Sequence, residues 1–172
     1  DKQYDAVVIA SGAGLLNVMP NLKISKGQLV GLRSNQEITC SLPVNSEGYI
    51  LPPIDGITWI GSTHQKDFQD IMPSLEATKD LISRTERNFK INLVSDANAL
   101  TEARLRVGSK DRLPIAGRIS NDQNIYAIGA LGSRGFSLAP LLGELIASQI
   151  SKSPNPISTG IALSIDPMRF ID

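Results

Sequence analysis

The sequence predicts an α+β fold centred on an antiparallel sheet, and three features point to it. Most candidate strands follow one another along the chain with short turns between them. Two long helical patterns interrupt them, so strands outnumber helices. The first and last candidate strands, in YDAVVIAS and NIYAIG, are almost wholly apolar, which is typical of strands buried on both faces of a parallel sheet. We therefore expect an antiparallel-sheet domain flanked by strands of a second, α/β sheet.

The strands between these two follow from local patterns. KGQLVGL and ITCSLPV are predicted strands with turn residues between them. GYILPPIDGITWIGST is a predicted hairpin whose two short strands surround Pro52, Pro53, Asp55 and Gly56.

Two helices are predicted. Ser74 is placed to cap a helix over 75–90. Spacing of three and four residues predicts that its inner face is formed by Leu75, Thr78, Ile82, Thr85 and Phe89. The second helix, FSLAPLLGELIASQI, is mostly apolar and is expected to end near Lys152.

The stretch LTEARLRVG alternates strictly and predicts a strand with one charged face. Glu102, Arg104 and Arg106 share that face. The commoner interpretation is a solvated face with ion pairs across strands. The alternative is a carboxylate clamp, because guanidinium groups bind carboxylates through paired hydrogen bonds.

Composition excludes several classes of protein. The 172 residues include 17 basic and 17 acidic side chains, so no net charge draws the chain to nucleic acid or anionic membranes. A single cysteine, Cys40, excludes an intramolecular disulfide, and a single histidine, His64, argues against a metal centre. No apolar run reaches the roughly 20 residues that cross a bilayer, and no signal-peptide pattern is found. We expect a cytoplasmic protein without a bound metal.

Three single residues, His64, Cys40 and Tyr49, can each be interpreted as ordinary structural residues, and some of them also as functional ones. His64 is either an exposed loop residue or the polar wall of a pocket. Cys40 is most simply a small core residue, and Tyr49 a core residue whose hydroxyl reaches a partner.

The glycine-rich turn of GALGSRGF precedes the second helix. Gly129, Gly132 and Gly135 lack the spacing of the dinucleotide-binding fingerprint, and no acidic residue follows about 20 positions later. Gly12 and Gly14 fit that fingerprint no better. The turn is therefore either a tight strand–helix connection or a helix amino end that faces an anion or a polarised carbonyl.

Several motifs together resemble FAD-dependent oxidoreductases of the D-amino-acid oxidase and glycine oxidase group. These are LRVGSKDRLPIAG, GYILPPIDGITWIGST and GALGSRGFSLAPLLGELIA. KGQL, EAR and the tail ALSIDPMRF favour a resemblance to those members of the group that act on a modified uridine of tRNA.

The resemblance implies FAD as cofactor and assigns two segments to it. Ser11 and Gly12 follow the strand whose backbone would pass close to the flavin. The turn that would approach the pyrimidine edge of the flavin ring consists of Gly132, Ser133, Arg134, Gly135 and Phe136.

The resemblance also implies a substrate site. Arg106 would bind the substrate carboxylate with help from Tyr49, and Arg104 and His64 are further candidates. The implied reaction is oxidation of a glycine-like secondary amine, either the carboxymethylaminomethyl group of the tRNA wobble uridine or a free amino acid such as glycine or sarcosine. A non-catalytic binding or assembly fragment is the remaining alternative.

The resemblance divides the chain into three parts. Residues 1–14 would be a closing strand of the FAD-binding domain, 15–122 the substrate domain, and 123–172 the return strand, flavin-facing turn and terminal helix. The matching amino-terminal half, with its GxGxxG motif, is expected to be a partner elsewhere in the same protein. We expect this chain alone to bind FAD weakly and to be inactive.

Overall fold

The computed structural model describes residues 4–33, 38, 40–93, 99–121 and 123–170. Their strands are β1 (Val7–Ile9), β2 (Lys23–Arg33), β3 (Val44–Ser46), β4 (Gly48–Ile50), β5 (Ile57–Gly61), β6 (Leu100–Gly108), β7 (Ile115–Arg118) and β8 (Ile125–Gly129). Their α-helices are α1 (Leu75–Phe89), α2 (Gly135–Ser151) and α3 (Thr159–Ser164). Short 3₁₀ helices span Gly12–Asn17, Gly132–Arg134 and Pro167–Phe170. None of the described helices combines the length and the apolarity that a membrane span requires.

The chain forms two compact units. Unit 1 contains Asp1–Ile24 and Arg106–Asp172, and unit 2 contains Ser25–Leu105. This division differs from the predicted domain bounds. Unit 1 includes residues 15–24 and 106–122, which we predicted to belong to the substrate domain. The boundaries fall inside β2 and β6.

Unit 2 contains a five-stranded sheet in the order β3-β4-β5-β2-β6. The β3–β4, β4–β5 and β2–β5 pairings are antiparallel, as predicted. The predicted hairpin is confirmed: Asp55 and Gly56 both adopt positive φ, 53° and 74°, between the bridged residues Ile54 and Ile57. That conformation suits Asp-Gly because its backbone twist matches that of the flanking strands.

The predicted strand over ITCSLPV is wrong in its described part. Cys40 and residues 41–43 are not extended in a ladder, and β3 begins only at Val44. Residue 39 lies outside the described residues. Pro43 lacks the amide hydrogen that a ladder would need, which explains why pairing starts after it. Cys40 packs against the core of unit 2.

Helix α1 begins where the sequence predicts. The Ser74 hydroxyl accepts a hydrogen bond from the Ala77 amide at 3.1 Å and caps the helix. The predicted inner position of Leu75 is wrong, since 69% of this residue is exposed. The buried face is centred one step further round the helix, at Ala77, Thr78, Leu81, Ile82 and Thr85. Those residues cover a core that contains Val30, Leu32, Ile50 and Ile60.

A buried glutamine joins this helix to the sheet. The side chain of Gln28, on β2, is fully buried and accepts a hydrogen bond from the Ser74 amide at 2.8 Å. Its Nε2 donates to the Ser74 carbonyl at 3.0 Å and to the Thr78 hydroxyl at 2.7 Å. The backbone amide of Gln28 donates to the Thr63 hydroxyl at 2.8 Å. The side-chain amide is thus satisfied at both ends, as burial requires.

Unit 1 contains a three-stranded sheet in the order β1-β8-β7. β1 pairs with β8 in parallel and β7 pairs with β8 in antiparallel orientation. Alternate residues of β7 and β8 point to two different hydrophobic clusters. One cluster contains Leu15, Met19, Leu22, Ile115 and Ala127, and the other contains Ala116, Tyr126, Leu142, Leu145 and Ile146. Both faces of the β7–β8 pair are therefore covered.

The expectation that β1 is buried on both faces is wrong. Val7 is 48% exposed and Val8 44% exposed. β1 lies at the edge of its sheet, with β8 as its only neighbour among the described strands, so one side of it has no strand beside it. The returning strand β8 is the better covered of the two, since Tyr126 and Ala127 are buried.

We expect the substitution Gln28→Met to lower the free energy of unfolding by about 2 kcal/mol, because it leaves the Ser74 amide without its acceptor and removes two further hydrogen bonds, to the Ser74 carbonyl and the Thr78 hydroxyl. Urea denaturation of the wild type and the variant measures the difference. Gln69→Met is the matched control, because Gln69 is exposed and should change stability little. Equal effects of the two substitutions would contradict the anchoring role of Gln28.

Candidate functional site

Two turns meet at one edge of the unit 1 sheet. Because β1 and β8 are parallel, with Ile9 opposite Ala127, their carboxyl ends lie side by side. Ser11 and Gly12 follow β1, and the segment leading to Gly132 follows β8. The two segments predicted to approach a cofactor are therefore neighbours. The carboxyl edge of parallel strands is the usual place for a ligand in open α/β sheets.

The glycines of this edge have different roles. Gly12 and Gly132 both have φ of +58°, and a Cβ added to either would meet nothing within 4 Å. These two positions require glycine for their conformation and open onto free space. Gly129 instead serves packing, because an added Cβ would lie 2.6 Å from the Leu15 side chain. The interpretation of the glycine-rich turn as a tight strand–helix connection holds at Gly129, while the open positions at Gly12 and Gly132 are compatible with a ligand.

The amino end of α2 is left open to a ligand. No side chain caps it, and no acidic residue occupies its first turn. Gly132, Ser133 and Arg134 are exposed, and Phe136 is completely exposed. The free amide groups and partial positive charge of such an end favour an anionic or electron-rich group.

Arg134 is held by the backbone of another turn. Its Nη2 donates a hydrogen bond to the Arg112 carbonyl at 2.8 Å. This contact could not be found from sequence, since a carbonyl acceptor leaves no residue-type signal. It orients the guanidinium toward residues 109–114, which connect β6 to β7.

That connecting turn is fixed by the tail of the chain. Arg169 Nε lies 2.8 Å from Asp111 Oδ2, and Nη2 lies 3.3 Å from Oδ1, so the pair is bidentate. The hydrogen bonds from Arg169 hold the pKa of the Asp111 carboxyl well below its usual value, with a smaller contribution from Ser109. The carboxylate therefore stays ionised at neutral pH.

Tyr49 is the predicted substrate residue with the clearest local setting. It pairs with Gly61 across β4 and β5, and a Cβ on Gly61 would lie 2.5 Å from the Tyr49 Cζ and Oη atoms. The ring therefore lies across Gly61, which sequence analysis did not single out. No hydrogen bond of the Tyr49 hydroxyl is found within the described part of the chain.

The other predicted substrate residues differ in surroundings. Arg104 is exposed, with Nη2 3.1 Å from Glu102 Oε2 and Nη1 donating to the Ala103 carbonyl at 2.9 Å. Arg106 lies two residues further along β6 and is half-buried. His64 is exposed, beside Thr63, which is buried. Tyr49, His64 and Arg104 belong to unit 2, and Arg106 belongs to unit 1. Within the described ranges, no group of three or more potential ligands could hold a metal ion.

Comparison with known proteins identifies relatives along most of the chain. The family model described as FAD dependent oxidoreductase matches residues 1–149. A tRNA 5-methylaminomethyl-2-thiouridine biosynthesis bifunctional protein from Caulobacter is 32% identical over 98% of this chain and 28% of its own length. The corresponding protein from Burkholderia mallei is 30% identical over 98% of this chain and 30% of its own length. The chain thus spans less than a third of these relatives.

Solved structures share the fold. Glycine oxidase from Geobacillus kaustophilus superposes with a TM-score of 0.74 at 21% identity, over 91% of this chain and 44% of that one. Glycine oxidase from Bacillus cereus gives a TM-score of 0.66 at 25% identity, over 88% of this chain and 44% of that one. The mixed α/β fold of this chain is therefore similar to that of glycine oxidase.

We expect Gly132→Ala and Gly143→Ala to change stability in opposite directions. Ala at 132 would have to adopt positive φ and should cost about 1 kcal/mol. Gly143 is exposed inside α2 with open space around it, so Ala there should add up to about 1 kcal/mol through helix propensity. Urea midpoints measure both. A Gly132→Ala variant that is as stable as the wild type, or more stable, would show that the turn does not need glycine at 132.

Proposed function

The chain belongs to the family of FAD dependent oxidoreductases, and on that premise we propose that it is part of an enzyme that modifies tRNA. The proposed reaction is oxidative removal of the carboxymethyl group from carboxymethylaminomethyl-uridine at the wobble position. The observation that carries the tRNA assignment is similarity over 98% of the chain to proteins named for thiouridine biosynthesis in tRNA.

FAD is the cofactor of this family, and the residues of the unit 1 edge fit it. Gly12 and Gly132 leave open space where a ring system could approach the backbone. The uncapped amino end of α2, without an acidic residue in its first turn, suits the electron-rich pyrimidine edge of a flavin. We assign Ser11, Gly12 and the turn from Gly132 to Phe136 to cofactor contact. Bound FAD supplies an acceptor for the hydride that leaves the substrate.

The chain's own residues would bind and orient the substrate. Arg106 is proposed to hold the substrate carboxylate through paired hydrogen bonds. Tyr49 is proposed as a further substrate-binding residue. A C–H bond of the carboxymethyl carbon next to the amine nitrogen then breaks and delivers a hydride, leaving a protonated imine. Water adds to the imine carbon, the C–N bond breaks, and the products are the uridine with a free aminomethyl group and glyoxylate. Such chemistry depends on positioning more than on a protein acid or base.

Arg104 and His64 receive smaller roles in this proposal. The guanidinium of Arg104 is already paired with Glu102 and is largely solvated, which weakens its competition for a substrate carboxylate. His64 is exposed beside a well-anchored backbone segment, where it could contact a large substrate at its rim. The amino-terminal FAD-binding half of the same protein is the proposed partner that completes the cofactor site.

A glycine- or sarcosine-type oxidase is the second candidate. The structural likeness to glycine oxidase and the equal numbers of basic and acidic residues, 17 each, favour it. The same arginine would then bind the carboxylate of a free amino acid. The third alternative, a non-catalytic binding or assembly module, requires that no flavin binds.

We expect the full-length protein to contain flavin that is bleached without oxygen by tRNA carrying carboxymethylaminomethyl-uridine, and not by glycine or sarcosine. Anaerobic absorption spectroscopy follows the bleaching, and tRNA lacking the modification is the control. Bleaching by the free amino acids would move the protein to the oxidase alternative. Absence of flavin would leave only the assembly module.

We expect Arg106→Ala in the full-length protein to raise the apparent KM for the substrate roughly 10- to 100-fold, because a charge-assisted pair to the carboxylate is lost. The visible flavin spectrum should stay unchanged. Arg87→Ala, at an exposed position of α1, is the matched control and should leave KM unaltered. Loss of flavin from the Arg106 variant would show that this residue belongs to the cofactor site.

A further inference from the structure

The turn of residues 109–114 lies at the same edge as the proposed cofactor site. β7 is antiparallel to β8, with Ile115 opposite Gly129, so the segment before β7 lies beside the segment after β8. The turn is internally braced: the Ser109 hydroxyl donates to the Leu113 carbonyl at 2.6 Å, and the Leu113 amide donates to Asp111 Oδ1 at 3.0 Å. Arg112 takes positive φ, 65°, between these two bonds.

The guanidinium of Arg169 donates hydrogen bonds to several acceptors of this turn. Besides its bidentate pair with Asp111, its Nη2 donates to the Leu113 carbonyl at 3.2 Å and to the Pro114 carbonyl at 3.0 Å. Its Nη1 donates to the Asp166 carbonyl at 2.8 Å, and its Cζ lies 4.4 Å from the centre of the Phe170 ring. The side chain is only 18% exposed, so these bonds are partly shielded from water. Only a guanidinium, which is planar and has five N–H donors in a fixed arrangement, can make all of these hydrogen bonds.

The 109–114 turn also holds the proposed cofactor-facing segment, Gly132–Phe136, through one hydrogen bond. The Arg112 carbonyl, in the same turn and directly after Asp111, accepts the hydrogen bond from Arg134 Nη2 at 2.8 Å. Arg134 is the residue immediately before α2 and lies in the 3₁₀ helix Gly132–Arg134. A continuous series of short polar contacts therefore runs from the tail, through the 109–114 turn, to the open end of α2.

We propose that Arg169 is a positioning residue for the cofactor-facing turn: by fixing Asp111 and the carbonyls of Leu113 and Pro114, it fixes the Arg112 carbonyl and hence Arg134. The inference rests on the proposed function in one respect, the placement of FAD at Gly132–Phe136. Arg169 itself contacts neither substrate nor cofactor. Its effect reaches the site through the backbone of residue 112.

The fixed orientation matters because residues 132–135 have few other restraints. The first three residues of this segment are exposed, it contains two glycines, and it has no side-chain cap at the start of α2. Without the Arg112 contact, Arg134 and the adjoining amides would sample more conformations. A cofactor would then have to order them on binding, at a cost in affinity.

The test is a double-mutant cycle on the full-length protein with two readouts. One is the dissociation constant of FAD, titrated by fluorescence into protein stripped of flavin. The other is hydrogen–deuterium exchange of the peptide containing Gly132–Gly135, which needs no cofactor. Arg169→Gln should weaken FAD binding about tenfold and speed exchange in this peptide. Arg169→Lys should behave like Arg169→Gln, since lysine keeps the charge and loses the fork.

Coupling distinguishes this role from general support of the fold. In the Arg134→Gln background, Arg169→Gln should change FAD affinity less than about twofold, because the connection is already broken. Independent, multiplying effects of the two substitutions would overturn the proposal, as would unchanged exchange in Arg169→Gln. Asp111→Asn gives a second variant should Arg169→Gln fold poorly, and it should show the same coupling.

The matched control is Arg118→Gln in the same unit. Arg118 Nε donates to the Gln123 carbonyl at 3.1 Å and Nη2 to Asn124 Oδ1 at 2.6 Å, at the opposite end of β8. It should lower thermal stability without changing FAD affinity or exchange at 132–135. Equal loss of FAD affinity in this variant would show that Arg169 acts only through stability. Failure of the tRNA substrate assay would leave these readouts intact and would count against the proposed function alone.

Discussion

Three residue pairs of a parallel ladder, Val7 with Ile125, Val8 with Tyr126 and Ile9 with Ala127, join segments from near opposite ends of the sequence. Their orientation matters more than their number. Parallel pairing brings the two positive-φ glycines, at 12 and 132, to one edge, whereas antiparallel pairing would send them to opposite edges. The antiparallel β7 then adds its preceding turn to that same edge. The candidate cofactor site is thus a consequence of strand direction.

Unit 2 depends on a different kind of contact. Apolar packing holds its helix against its sheet, and so does one buried side-chain amide, that of Gln28. This amide accepts a hydrogen bond from the Ser74 amide and donates one to the Ser74 carbonyl, as a neighbouring strand would. Apolar contacts set the distance between helix and sheet but allow sliding, while hydrogen bonds of fixed geometry set the register. Gln28 therefore places the start of α1, and α1 covers the sheet that carries Tyr49.

Features governed by neighbouring residues were predictable from sequence. The Ser74 cap and the Asp55–Gly56 turn depend on residues a few positions apart, so their patterns are visible in the chain itself. Leu75 was misplaced because local spacing allows two adjacent helix faces, and only the sheet decides between them. The contacts of Tyr49 with Gly61 and of Arg134 with the Arg112 carbonyl join distant segments, and a backbone acceptor has no sequence signature. The family resemblance named Tyr49 and Arg134 but neither Gly61 nor Arg112, which they contact.

The exposed outer side of β1 has a consequence for handling the protein. Val7 and Val8 are nearly half exposed, and no described strand pairs with that side, so its amide and carbonyl groups offer a hydrogen-bonding template to any extended peptide. Apolar side chains beside such a template favour sheet-to-sheet association between molecules. Where this edge is uncovered, concentration and temperature will govern whether the protein stays monodisperse, and a charged residue in place of Val8 offers a simple way to suppress aggregation.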